Sequence, residues 1–261
     1  ISLKSDINAL FNSPVLGYNS KDDIVYQFWA NRDSHEVYYF DPKTDYAPTT
    51  AISSISWDDP NFPNIEGFGV WAAKCNFTMG PDGKMYSRML GGNLVRIDVE
   101  NARGENLTNG DLVGTKDGSA YGLVFDPQDE NVFYFSNNDK HCIYKYDLRT
   151  KECACWAGQE GKSGYLDGPI GQAMFNKPGQ MCVDSEGNII LTDTENHCIR
   201  KITMSTGYVS TLAGKPQNSG YVNGSAEDAQ FKKPLGICID NDDVMYIGDS
   251  ENRAIRRLAV E

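Results

Sequence analysis

The chain has 261 residues, 40% of them hydrophobic, with 11 Phe, 14 Tyr and 4 Trp, enough apolar material for a substantial core in one all-β domain over 1–261. Its 24 Lys and Arg against 36 Asp and Glu leave a formal charge of −12. That opposes binding to nucleic acid or an anionic membrane, where basic groups neutralise phosphate, and no apolar run is long enough to span a bilayer as a helix.

In chain order, short apolar runs alternate with turn formers. The first clear run is Ile24–Trp29, preceded by Lys21-Asp22-Asp23 and followed by HEVYYFDPKT from His35. Next come Pro81-Asp82-Gly83, the run Lys84–Met89, and GNLVRIDVEN from Gly92. The third group has Tyr121–Phe125, the turn Asp126-Pro127-Gln128-Asp129, Asn131–Ser136, HCIYKYDLRT from His141, and Glu152–Ala157 closed by Gly158. The fourth repeats it: Gln180–Val183, Ser185-Glu186-Gly187, Asn188–Thr192, HCIRKITMST from His197, and Tyr208–Ala213 closed by Gly214. The last has Gly236–Ile239, Asn241-Asp242-Asp243, Val244–Gly248 and RAIRRLAVE from Arg253. Runs of this length, rich in Val, Ile, Tyr, Phe and Cys and bounded by Asp, Gly, Pro and Ser, read as hairpin strands.

The segments from residues 35, 92, 141, 197 and 253 fall at one position of a repeat of about 50 residues. Four antiparallel strands per unit at this period predict a β-propeller of four-stranded blades. Five repeats are legible, and six would be present if a degenerate blade lies in Asp45–Gly69. The last unit reaches Glu261 after its third strand, so Ile1–Ser5 is expected to supply the fourth and close the ring, which removes free sheet edges.

The repeat also bears on the reactive side chains. His35, His141 and His197 share one repeat position, so a common packing role explains them better than a converging catalytic site. Seven cysteines leave at least one unpaired. Cys182 and Cys238 are equivalent, as are Cys142 and Cys198, and Val or Ala stands at the same positions elsewhere, so these thiols read as small buried apolar groups. Cys153 and Cys155 lie two apart on one strand, which suits neither a mutual disulfide nor a common zinc pattern. Gly161-Lys162-Ser163 lacks the upstream glycine of a phosphate loop, and no Gly-x-Ser-x-Gly elbow or calcium loop is present.

Two connectors match at a spacing of 56: Gly164-Tyr165-Leu166-Asp167-Gly168 leading to Phe175-Asn176-Lys177-Pro178, and Gly220-Tyr221-Val222-Asn223-Gly224 leading to Phe231-Lys232-Lys233-Pro234. With DTENHCIRKI from Asp193, VSTLAG from Val209 and DSENRAIRRL from Asp249, this pattern resembles the NHL repeat. The resemblance is strong from Gly158 onward, weaker toward Tyr121 and weak before it. The long connectors are similar to those of bacterial cell-envelope NHL proteins, some of which carry an Ig-like IPT/TIG domain upstream. The resemblance therefore implies an extracytoplasmic location, in the periplasm or at the cell surface.

In such a ring the connectors and the second-to-third-strand turns share one face, and loops on a rigid scaffold are where function tends to sit. The candidate ligand-binding residues there are Asp139, Asp193, Glu195, Asn196, Asp249, Glu251 and Asn252. Trp71, Tyr121 and Gln180 join them at the starts of inner strands. The competing reading is that the Asp and Asn side chains cap their own turns, which their unit-by-unit repetition favours. The function expected is a non-catalytic binding or scaffold propeller for a protein or glycan. The alternative is a propeller enzyme of lyase or lactonase type with a divalent metal in the central channel. Binding is favoured because the histidines start third strands, away from the channel. No catalytic residue, metal ligand or cofactor is assigned, a divalent cation being left open.

Overall fold

The computed structural model describes residues 78–88, 93–108 and 121–259, together with strands between residues 15 and 58. The first sheet is β1 (Val15–Asn19), β2 (Ile24–Asn31), β3 (Ser34–Phe40) and β4 (Pro48–Ile52). The second contains β5 (Ser56–Trp57), β6 (Thr78–Met79), β7 (Met85–Arg88), β8 (Leu94–Asp98) and β9 (Arg103–Asn106). The third is β10 (Leu123–Phe125), β11 (Val132–Asn137), β12 (Cys142–Asp147) and β13 (Cys153–Gly158). The fourth holds β14 (Gly168–Pro169), β15 (Pro178–Val183), β16 (Ile189–Asp193), β17 (Cys198–Thr203) and β18 (Tyr208–Ala213). The fifth is β19 (Pro234–Ile239), β20 (Met245–Asp249) and β21 (Ala254–Leu258).

Consecutive strands pair antiparallel, and the first strands of neighbouring sheets lie side by side: β1 with β6, β6 with β10, β10 with β15, and β15 with β19. This is the blade arrangement of a β-propeller. Ile1–Ser5 lies outside the described residues. The stretch Asp45–Gly69 contributes β4 to the first sheet and β5, which runs parallel to β9, to the second, so its described part forms no extra blade.

The repeat is visible in backbone irregularities as well as in strands. Between the third and fourth strands the register shifts at Val37/Tyr38, Ile143/Tyr144 and Ile199/Arg200, one place in three sheets. An extra residue there bends the strand and re-aims the side chain that follows. His141, His197 and Arg253 all take left-handed φ, at 56°, 58° and 54°, turning the chain from second strand to third. Gly158 and Gly214 close the fourth strands at φ 94° and 98°, each packed against the carbonyl of the histidine that opens the neighbouring third strand. A Cβ at either would come within 3.0 Å of that oxygen.

The hairpin turns between first and second strands are held by their own aspartates. Asp184 Oδ1 accepts from the Glu186 and Asn188 backbone N–H groups, and Asp240 Oδ1 does the same for Asp242 and Val244. Such local bonds are why Asp suits these positions.

The core lies between the sheets and changes character along the chain. Between the second and third it is aromatic, with Tyr86, Phe133, Phe135, Tyr144 and Tyr146. Between the fourth and fifth it is aliphatic, with Ile190, Ile199, Ile237, Met245 and Ile247. The other side of the fifth sheet is open to solvent at its described residues Tyr246 and Ile255, although Ile190 and Ile199, their repeat equivalents, are fully buried. This also corrects the reading of the thiols. Cys142 and Cys198 are buried as expected, but Cys238 is exposed, because it lies on that open side and pairs across to Tyr246.

Candidate functional site

The connector face is organised by two buried arginines, Arg200 on β17 and Arg256 on β21, which stand 56 residues apart. Each follows the repeat's second-to-third turn by four residues and points back under it. Arg200 Nη1 donates to Asp193 Oδ2 at 2.7 Å and to the Met174 carbonyl at 3.1 Å. Its Nη2 donates to the Leu166 carbonyl at 2.9 Å and to Asp167 Oδ1 at 2.6 Å. The guanidinium lies between the rings of Tyr165 and Phe175, 4.9 and 5.1 Å from their centroids. Arg256 makes the same set with Asp249, the Gln230 and Val222 carbonyls, and Asn223, between Tyr221 and Phe231.

The planar five-donor fork explains why arginine stands here: it reaches a carboxylate and two connector carbonyls at once and stacks on both rings. Burial works against the Arg200 charge, but Asp193 and Asp167 outweigh it and hold the group protonated above its ordinary range.

This geometry decides the fate of the predicted rim residues. Asp193 and Asp249 are 0% exposed, each spent on its arginine and on a backbone N–H, of Asn176 and Lys232 respectively. They are turned inward, away from solvent, because an unpaired buried arginine would cost more than a carboxylate gains at the surface. Asn196 is also buried and Asn252 half-buried, and each donates its side-chain amide to the aspartate three residues before it and to a connector carbonyl, Gly164 or Gly220. The expectation that these residues cap their own turns is corrected: neither the Asp193 nor the Asp249 side chain bonds the backbone of the turn it precedes, and the four side chains tie the turn to the connector instead.

The remaining candidates stay at the surface. Glu195 and Glu251 flank Lys233, at 3.3 and 3.2 Å, and Lys232 reaches Glu251 at 3.4 Å, so alternating charges run from the fourth turn to the fifth. Asp139 is exposed on the third-sheet turn. Tyr121 is half-buried where β10 begins, its backbone N–H donating to Ser136 Oγ. Gln180 Oε1 accepts from the Ile237 N–H, tying β15 to β19. Trp71 lies outside the described residues.

The histidines join blades. His141 Nδ1 accepts from the Lys177 N–H at 3.1 Å, and His197 Nδ1 from the Lys233 N–H at 3.2 Å, each reaching the connector that enters the next blade. Burial lowers the His141 pKa, with Lys177 adding to it. Burial also raises Cys182 and Cys153 to about 12, which leaves these thiols protonated and unreactive at neutral pH. Among the described residues no three His, Cys, Asp or Glu side chains converge as a cation would require. No helix among them is long and apolar enough to cross a membrane.

The family model for the NHL repeat matches residues 175–202, the span from Phe175 through Asp193 and Asn196 to Arg200 that forms one arginine clamp. The chain carries an NHL repeat within a β-propeller. It is similar to the protein SUPPRESSOR OF QUENCHING 1, chloroplastic, of Arabidopsis thaliana, 25% identical over 271 residues that cover 96% of this chain and 25% of that protein. NHL repeat-containing protein 2 of Gallus gallus is 30% identical over 152 residues, 58% of this chain and 19% of that one. The chain thus spans a quarter or less of the length of these two curated relatives. Among solved structures, a Bacteroides thetaiotaomicron protein of unknown function superposes with a TM-score of 0.76 at 24% identity, over 94% of this chain and 58% of that chain. An auxiliary nutrient binding protein of the same bacterium gives 0.71 at 23%, with the same coverage. Virginiamycin B lyase of Staphylococcus aureus gives 0.53 at 15%, over 95% and 70%. These likenesses establish the fold, which suits a binding scaffold.

Proposed function

We propose that residues 1–261 form a single propeller domain that binds a protein or glycan without catalysis, on the face carrying the connectors and the second-to-third-strand turns, outside the cytoplasm. One observation carries this reading. The Asp193, Asn196 and Arg200 side chains and their equivalents Asp249, Asn252 and Arg256 are consumed within the fold, whereas the charged line Glu195, Lys233, Glu251 and Lys232 stays at the surface of that face. Carboxylates accept and ammonium groups donate, so such a line suits the hydroxyls of a sugar or the backbone of an extended peptide. The two histidines described in side-chain detail, which a lyase would need as acid or base, are engaged between blades. The nutrient-binding role named for the Bacteroides neighbour points the same way and supports the location.

The test is a thermal-shift screen of oligosaccharides and peptides, with and without chelator, followed by titration of the hit. Binding that survives chelator and weakens about tenfold in the E251Q/K233M variant, at unchanged Tm, supports the proposal. Consumption of a ligand in a divalent-metal-dependent reaction would overturn it in favour of the enzyme reading.

A further inference from the structure

The two clamped connectors perform one task with different chemistry. Asp167 and Asp193 present two carboxylates to Arg200, at 2.6 and 2.7 Å. At the place of Asp167 the fifth sheet has Asn223, whose Oδ1 accepts from Arg256 Nη2 at 2.8 Å, and the carboxylate is supplied by Asp249. Asn223 precedes Gly224, and both are exposed. Even a Cβ built on Gly224 would find its nearest neighbour, Asp228 Cβ, at 3.7 Å, so that side of the glycine is uncrowded.

We infer that Asn223 is a site of spontaneous deamidation, and that this modification gives the fifth sheet the second carboxylate the fourth sheet has from its sequence. The backbone nitrogen of Gly224 attacks Cγ of Asn223 and loses its proton to water. The Cγ–Nδ2 bond breaks, ammonia leaves, and a five-membered succinimide joins the two residues. Water then opens the ring. Attack at Cγ breaks the new bond and yields aspartate in the ordinary linkage; attack at the main-chain carbonyl reroutes the chain through the side chain as isoaspartate. No oxidant or reductant is needed.

Arg256 biases both steps. Its hydrogen bond draws electron density from the Cγ carbonyl, which makes Cγ the better target for the glycine nitrogen and afterwards for water. Ordinary aspartate is therefore the favoured product. The nearby carboxylate of Asp228 is paired with Lys215 at 3.1 Å, which tempers its repulsion of the new charge beside Arg256.

The experiment incubates the folded chain and a synthetic peptide of residues 219–229 at mildly alkaline pH, then maps both by proteolysis and mass spectrometry that separates aspartate from isoaspartate. The folded chain is expected to convert at Asn223 with an aspartate-to-isoaspartate ratio about threefold above that of the peptide, the bias one hydrogen bond supplies. The N223D variant is expected to gain about 1–2 °C in Tm, the size of a partly exposed ion pair. An Asn223 still intact when the peptide has half converted, a product ratio equal to that of the peptide, or a lower Tm in N223D would each overturn the inference.

Discussion

The third and fourth sheets follow one plan but hold their turns by different means. In the fourth, Asp193 and Arg200 form a buried ion pair that reaches out to the connector. In the third, the same two positions are Asn137 and Tyr144, and Tyr144 stacks on Phe135 with centroids 5.5 Å apart and planes 11° from parallel. One site gains direction from a five-donor cation; the other gains packing area from aromatic rings. The fold tolerates both because the bulge at Ile143/Tyr144 and Ile199/Arg200 aims whichever residue is present into the same space. The family match lies in the fourth repeat, which carries the polar version.

The comparison is broken most severely at Arg200. R200M should cost about 3–5 kcal/mol in denaturant unfolding, since Asp193 would be left buried and uncompensated, while R200M/D193N should recover part of the loss. The same change at Arg256 should cost less, about 1–3 kcal/mol, because Tyr221 is 61% exposed and water can reach the fifth-sheet clamp. A smaller loss for R200M than for R256M would show that burial does not set the strength of these pairs.

Next comes the joint both sheets share. G158A and G214A should each lose about 1–3 kcal/mol, because an alanine at that φ is strained and its Cβ meets a histidine carbonyl. Unequal losses would separate the aromatic sheet from the ionic one.

His141 offers a milder probe with a pH signature. H141N, which keeps a residue tolerant of left-handed φ, should cost about 0.5–1.5 kcal/mol at pH 7.5 through the bond to Lys177. Its folded pKa lies below the unfolded value, so its contribution is complete above pH ~6.5 and is lost as pH falls through that value toward the folded one. The difference between wild type and H141N should therefore narrow between about pH 7 and 5. A constant difference would mean that the imidazole bond is not what H141N removes.

The smallest effect is expected at the surface. E251Q should leave the denaturant midpoint unchanged within error, since its pairs with Lys232 and Lys233 are exposed. A large loss would mean that the charged line is structural and would remove it from the proposed binding face.

Strand positions were readable because alternating apolar runs and their turns recur at a fixed spacing; Tyr208–Ala213 was bounded from sequence as the structure has it. The orientation of the turn residues was not readable. Asp193 and Glu195 are two apart in one polar turn, yet one is sealed against Arg200 and the other extends to Lys233. Sequence reasoning passed over Arg200 and Arg256, although a signal was present. Asp, Asn and Arg recur together as 193, 196, 200 and 249, 252, 256, with the arginine of each set 33 residues after a connector Asp or Asn. Residues that repeat as a set, including a cation within a strand, point to an internal network.

Sequence alone determined that this chain builds sheets of antiparallel strands with equivalent turns, because strand and turn formation depend on local patterning and local hydrogen bonds. Tertiary structure decided which polar groups meet water. That depends on whether a partner from a distant connector lies within hydrogen-bond reach, and Arg200 and Asp167, 33 residues apart, meet only after the fourth sheet has folded.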